Sequence, residues 1–149
     1  MGYRWFNSEK TKTEPMFPFG HGLSYTSFHW SKLERTCEEA PQKEMAFVFQ
    51  FHCEVTNIGD LAGAVSTLVY VRPISSTIDR PHRELKHFTK TFLEPGQSTR
   101  VTFSLDRDAF KRWDVTGKSW VVDKGEYEVE VGDQQLLLGL ELVDSIRWK

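Results

Sequence analysis

The segment Phe47-Val48-Phe49-Gln50-Phe51-His52-Cys53-Glu54-Val55-Thr56 carries an apolar side chain at every second position. The residues at 47, 49, 51, 53 and 55 are apolar, and those at 50, 52, 54 and 56 are polar. Residues two apart share one face of a strand but scatter around a helix of about 3.6 residues per turn. The pattern therefore predicts an antiparallel strand with one buried face.

The same period of two recurs along the chain from residue 27 onward. Turn signals separate the runs, such as Asn57-Ile58-Gly59-Asp60 and the type II pattern Glu94-Pro95-Gly96-Gln97, in which glycine takes the positive φ. About seven or eight strands at intervals of roughly ten residues are typical of an antiparallel β-sandwich. The predicted strands besides 47–56 are 27–33, 65–71, 85–93, 99–105, 120–122, 126–131 and 136–142.

For two of these strands, the sequence predicts the surroundings of the second face. Residues 65–71 are apolar on both faces near the centre, so we expect cover from two sides, the second supplied by another domain. In 126–131 the acidic residues Glu126, Glu128 and Glu130 alternate with apolar ones. We interpret these carboxylates as a solvated outer face.

Local signals predict two further features. Asp106 has the character of an N-cap, and residues 106–114 are long enough for one helical turn that packs Phe110 or Trp113 onto the edge of a sheet. Cys53 lies on the apolar face of its strand and is interpreted as a small buried residue. Its pairing with Cys37 is left open, because two cysteines allow one bridge or two free thiols.

The first 26 residues differ from the rest of the chain. The segment Tyr3-Arg4-Trp5-Phe6 is bulky but has no apolar period with which to build a core, so it needs a partner surface. Pro15 to Thr26 combines prolines, aromatic residues and two glycines, which predicts a packed, irregular joint. We predict an arm and linker over 1–26 and a β-sandwich over 27–149.

Composition and motifs exclude several function classes. The 149 residues carry 19 basic and 21 acidic side chains, so no basic surface indicates nucleic acid or an anionic membrane. No apolar run approaches membrane-spanning length, no signal peptide is evident, and the compartment is left open. No carboxylate pair, nucleophile motif, phosphate loop or histidine pair at ligand spacing is found. We therefore predict neither a catalytic site, nor a cofactor, nor a metal.

Several motifs together resemble one known family. The chain is similar, nearly throughout and in order, to the C-terminal fibronectin type III-like domain of family 3 glycoside hydrolases, which include β-glucosidases and β-xylosidases. The resemblance implies an all-β, immunoglobulin-like (fibronectin type III-like) antiparallel sandwich with an extended N-terminal arm. The motifs that carry it are Gly2–Phe6, Pro15–Thr26, Val55–Asp60, Leu68–Arg72, Arg80–Phe88, Leu93–Gly96 and Gly125–Val129.

In that family the catalytic residues lie in preceding domains, so the resemblance implies a non-catalytic domain that packs against them and stabilises them. The arm and joint match the exit from the neighbouring domain, and the loop 72–83 matches a region near the other domains. Two alternatives stay open: a module that binds polysaccharide or lignin through its tryptophans, and a glycosidase activity in this chain. The candidate interdomain contact residues are Tyr3, Arg4, Trp5, Phe6, Phe17, Phe19, His21, Tyr25, Asp79 and Arg80.

Overall fold

The computed structural model describes residues 2–7, 13–36, 48–74, 80–140 and 146–148, the last few of them (139–140 and 146–148) by backbone alone. Strands dominate these ranges, and helix is limited to two four-residue turns. In chain order the elements are α1 (Tyr3–Phe6), β1 (Phe28–Arg35), β2 (Val48–Asn57), β3 (Gly63–Pro73), β4 (Glu84–Leu93), β5 (Ser98–Asp106), α2 (Arg107–Phe110), β6 (Arg112–Asp114), β7 (Ser119–Val122), β8 (Gly125–Val131), β9 (Gln134–Leu140) and β10 (Ile146–Trp148).

The strands form two facing sheets and a small third sheet. One sheet has the order β1-β2-β5 and the other β4-β3-β8-β9, while β10-β7-β6 forms the small sheet. Every pairing between the described strands is antiparallel. The predicted antiparallel β-sandwich is confirmed.

The core lies between the two larger sheets and follows the alternation seen in the sequence. On β2 the buried apolar side chains are Phe51, Cys53 and Val55, as the period of two predicts. The Phe51 ring stacks on Phe103 of β5 with centroids 5.3 Å apart. Cys53 is a free buried thiol, and burial raises its pKa to about 11. Cys37 and Phe47 lie outside the described residues.

One buried asparagine closes an end of the sandwich. The Asn57 side chain is fully buried, and its Nδ2 donates to the carbonyls of Leu61 and Leu93, at 2.8 and 3.0 Å. Its Oδ1 accepts from Thr26 Oγ1 at 2.6 Å and from the Gly59 N–H at 3.1 Å. Both donors and both acceptor sites of the amide are therefore used.

The predicted type II turn packs against the same asparagine. Gly96 has φ 73°, and Gln97 N donates to the carbonyl of Glu94, three residues earlier, at 3.0 Å. The Asn57 backbone binds this turn on both sides, since Asn57 N donates to Gln97 O and Gly96 N donates to Asn57 O. The turn and the end of β2 are thus held as one unit.

The helical turn after β5 also forms as expected. Asp106 Oδ1 accepts from the N–H of Asp108 at 2.9 Å, which is the N-cap bond. Phe110 is fully buried with its ring edge-on to Tyr127, whereas Trp113 is exposed. Of the two anchors considered, Phe110 is the one that packs onto the sandwich.

The interpretation of the β8 carboxylates as a solvated face is wrong for two of the three. Glu128 and Glu130 are only 7% and 8% exposed, while Glu126 is exposed. The reason is their cover on the outer face of the sheet, where arginine side chains from β3 and from the segment before β4 lie against both carboxylates. Arg72 of β3 forms an ion pair with Glu128, and Arg83 Nη1 reaches Glu130 Oε2 at 2.8 Å.

Candidate interdomain surface

The N-terminal arm folds back on the sandwich through Tyr3. Its hydroxyl accepts a hydrogen bond from the N–H of Leu85 in β4 at 2.8 Å. Its ring lies 4.9 Å from Phe19 and 6.0 Å, edge-on, from Tyr70 of β3, measured between centroids. This contact joins α1, the joint and the outer face of the β4-β3-β8-β9 sheet.

Charged groups surround this anchor. Arg4 Nη2 lies 3.6 Å from Glu84 Oε1, and Lys86 Nζ lies 2.7 Å from Glu84 Oε2. Burial of Glu84 works to raise its pKa, but the hydrogen bond from Lys86 and the positive charges of Lys86, Arg4 and Arg80 outweigh it, so the pKa is lowered. Glu84 is therefore an ionised link between the arm and β4.

The joint continues along the outside of β3. Gly20 has φ 86°, and a Cβ built there would lie 2.9 Å from the Leu68 side chain, so both the conformation and the close approach require glycine. Farther along, Thr26 packs against Gly59 and Gly63, where added Cβ atoms would meet its side chain. The joint thus runs along the outside of β3 from Leu68 to Gly63, the first residue of that strand.

Arg83 completes the cover on this face. Its guanidinium lies over the Tyr70 ring, 4.5 Å from the centroid, and pairs with Glu130. Burial raises the pKa of Tyr70, although the charge of Arg83 acts in the opposite direction. The second face of β3, expected to be covered by another domain, is covered at Leu68 and Tyr70 by the chain's own arm and by Arg83.

Several aromatic side chains of the arm remain in solvent after this folding back. Phe17 is 66% and Tyr25 is 95% exposed, and the Phe17 ring lies 5.1 Å from that of the exposed His21. Phe88 and Phe92, on the outer face of the neighbouring β4, are also exposed. We call the following exposed residues the arm surface: Trp5, Phe6, Phe17, Phe19, His21, Leu23 and Tyr25.

The remaining candidates lie elsewhere. Arg80 is only 8% exposed in its side chain and lies 3.8 Å from Asp123, which also binds Arg112 through both carboxylate oxygens. Arg80 thus belongs to a charged cluster beside the small sheet, and its charge also helps to lower the pKa of Glu84. Asp79 lies outside the described residues. A role of any of these ten residues in an interdomain contact stays a prediction.

Sequence reasoning missed the residues of the sandwich that hold the arm. The sequence pattern places Tyr70 and Leu85 in strands and Arg83 in a loop, but it does not indicate that the first two contact Tyr3 or that Arg83 covers Tyr70. The apolar outer face of residues 65–71 was the signal that such cover exists. It did not say which segment supplies it.

No other type of site is apparent in the described ranges. Among those residues, no group of three or more histidine, cysteine, aspartate or glutamate side chains could hold a metal ion. No helix in them is long and apolar enough to cross a membrane.

Comparison with known proteins agrees with the architecture. Residues 66–135 match the family model of the fibronectin type III-like domain. The chain is 40% identical over 99% of its length to the probable β-glucosidase I of Aspergillus fumigatus, and 37% identical over 89% to the thermostable β-glucosidase B of Acetivibrio thermocellus. The aligned region is 18% and 17% of those two proteins, so the chain spans about a fifth of their length.

Solved structures give the same result. A family 3 β-glucosidase from Bifidobacterium adolescentis superposes with a TM-score of 0.81 at 33% identity, covering 95% of this chain and 21% of that one. The β-glucosidase 3B from Thermotoga neapolitana superposes with a TM-score of 0.83 at 30% identity, covering 99% and 20%. The chain therefore contains a fibronectin type III-like β-sandwich domain. This domain belongs to the fibronectin type III-like domains found in family 3 glycoside hydrolases.

Proposed function

We propose that this chain is a non-catalytic accessory domain that packs against the catalytic domains of a family 3 β-glucosidase-like enzyme and stabilises them. The observation that carries the proposal is the arm surface. Its aromatic side chains are exposed, yet the segment that bears them is fixed to the sandwich by Tyr3, Glu84 and Gly20.

A fixed apolar surface is suited to docking. Exposed apolar groups gathered in one region of a soluble domain mark a contact surface. Anchoring the arm in advance lowers the conformational entropy lost when a partner binds. The similarity to β-glucosidases of about five times this length supports catalytic domains as that partner.

A chimeric enzyme tests the proposal. Residues 1–149 would replace the matching segment of the A. fumigatus probable β-glucosidase I, and the half-life of glucoside hydrolysis would be measured at elevated temperature. We expect Phe17→Ser together with Tyr25→Ser to shorten that half-life, because both side chains are exposed in the isolated domain. The unfolding midpoint of the isolated chain should stay unchanged.

Val115→Ser is the matched control. Val115 is 78% exposed but follows β6, so its substitution removes a similar apolar group away from the arm. Equal half-lives for the double variant and the unsubstituted chimera would contradict the docking role. Turnover of a chromogenic glucoside by the isolated chain would contradict the non-catalytic assignment.

A further inference from the structure

Three of the five tryptophans of the chain lie in line across the small sheet. The backbone register of β10-β7-β6 places Trp113 opposite Trp120, and Trp120 opposite Trp148. Residues directly opposite in an antiparallel pair are close neighbours. The small sheet therefore concentrates tryptophan at one level of its ladder.

Of the three tryptophans of the small sheet, Trp113 and Trp120 have described side chains, and both point away from the core. Trp113 is 48% and Trp120 is 37% exposed, while the adjacent Ser119 and Val121 are buried and Arg112 turns toward Asp123. The indole rings are 5.5 Å apart between centroids and meet at 75°, edge to face. Together they form an aromatic corner open to solvent.

Polar groups border this corner. Lys111 Nζ lies over the Trp120 ring, 4.7 Å from its centroid, and pairs with Asp108 at 2.9 Å, so the face of Trp113 is the one left for stacking. In the described part of the chain, neither indole N–H of the corner has a hydrogen-bond acceptor. Trp30 is a useful contrast, because it packs against Gly132 and its Nε1 donates to Thr67 Oγ1 at 3.2 Å. Trp30 packs against the core and its indole N–H is hydrogen-bonded. Trp113 and Trp120 are exposed, and their indole N–H groups have no acceptor among the described residues.

The size of the corner favours a small ring over a protein. An aromatic side chain presents roughly 150–250 Å² in total, so the exposed parts of the two indoles amount to about 200 Å². A stable protein interface buries about 800 Å² on each partner. A pyranose ring has an apolar C–H face of suitable size to stack on one indole, with hydroxyl groups at its edge that can accept from an indole N–H or from Lys111.

We propose that the Trp113–Trp120 corner is a carbohydrate-binding site that takes one pyranose unit of a polysaccharide chain. The site shares no residue with the arm surface, and it does not depend on docking to a catalytic domain. It takes sugar by stacking and by hydrogen bonds, with no chemical change in the ligand.

Titration of the full chain with cellohexaose and with xylohexaose tests the site without any substitution. We expect the Nε1–H resonances of Trp113 and Trp120 to shift, and those of Trp5 and Trp30 to stay in place. Retention on insoluble cellulose or xylan should weaken by about fivefold or more in Trp113→Ala, because one stacking face is lost. Trp113→Phe should bind with intermediate affinity, and it keeps an aromatic ring should the alanine variant fold poorly.

Trp5→Ala is the matched control, since Trp5 is 46% exposed but lies on the arm. It should bind polysaccharide like the unsubstituted chain. The proposal is overturned if neither oligosaccharide shifts the Trp113 and Trp120 resonances. It is equally overturned if Trp5→Ala weakens retention as much as Trp113→Ala, or if the chain is retained on lignin alone.

Discussion

At the scale of single residues, Asn57 shows how a turn residue becomes a structural centre. Its amide joins the start of β1 through Thr26, the β2–β3 turn through Gly59 and Leu61, and the end of β4 through Leu93. A buried polar group is costly when its partners are missing and modestly favourable when they are present. Full use of the amide is what permits its complete burial.

Asn57→Ala should lower the free energy of unfolding by about 2–4 kcal/mol, because the buried carbonyl of Leu93, two part-buried backbone groups and the Thr26 hydroxyl lose their partner together. Asn57→Asp should be destabilising as well, since a carboxylate cannot donate to the carbonyls of Leu61 and Leu93. Urea denaturation measures both. Gln135→Ala, an exposed amide position on β9, is the control, and an Asn57→Ala midpoint equal to it would refute this role.

Glu84 should make part of the stability dependent on pH. Its pKa in the folded chain lies below the ordinary value of 4.5, so protonation favours the unfolded state. The carboxylate therefore stabilises the fold above about pH 4.5, and this contribution is lost as the pH falls through the folded pKa. The difference in urea midpoint between the unsubstituted chain and Glu84→Gln should be largest near neutral pH and shrink toward pH 3.

Glu126→Gln provides the comparison for that series, because Glu126 is an exposed carboxylate on β8. A midpoint difference for Glu84→Gln that stays constant from pH 7 to pH 3 would show that the ionised carboxylate is not what holds the arm to β4.

At the scale of elements, β8 is unusual in burying carboxylates on the face opposite the core. Glu128 lies opposite Arg72 in the β3–β8 ladder, and Glu130 lies opposite Tyr70 with Arg83 over that ring. Charges taken out of water are tolerated when they are paired. The burial of these two carboxylates on β8 therefore depends on Arg72 and Arg83.

Arg72→Met should destabilise the sandwich by roughly 2 kcal/mol or more, since Glu128 would stay buried without its partner. We expect less than the roughly 3–5 kcal/mol lost when a fully buried pair is broken, because the Arg72 side chain is partly exposed. Arg72→Met combined with Glu128→Met should recover most of it. A double-mutant cycle in urea measures the coupling. Lys90→Met, exposed on β4, controls for added apolar surface, and additive losses at 72 and 128 would contradict the pairing.

At the scale of the whole molecule, the arm acts as an additional layer outside the sandwich. Deleting residues 1–18 removes Tyr3 and its bond to Leu85 while keeping Gly20 and Thr26. We expect the sandwich to stay folded but to lose about 2 kcal/mol, roughly 4–8 °C in melting temperature. Thermal unfolding followed by circular dichroism measures the loss.

Tyr3→Phe is the matched variant for the deletion, because it removes the hydroxyl and keeps the ring contacts. It should lose about 1 kcal/mol, the value of one hydrogen bond. A deletion variant as stable as the full chain would show that the arm does not contribute to the isolated domain.

Local patterns in the sequence were sufficient to predict the class of fold. Alternation over 47–56, the turn at Pro95-Gly96 and the cap at Asp106 each depend on neighbours within a few residues, and the structure confirms the buried residues of β2, the turn and the cap. The motifs spread from the arm to β8 were together sufficient to indicate the family. Side-chain period and backbone φ are local properties, so sequence alone determines them.

Tertiary structure alone decided which faces are covered and by what. The sequence predicts the alternation in β8 correctly, yet only the assembled sheet shows that Arg72 and Arg83 cover the outward carboxylates of Glu128 and Glu130. The meeting of Tyr3 with Leu85, and of Trp113 with Trp120, depends on pairings between distant or separately folded segments. Burial and partnership are properties of the assembled sheets, because they depend on which strands become neighbours, and no local pattern encodes that order.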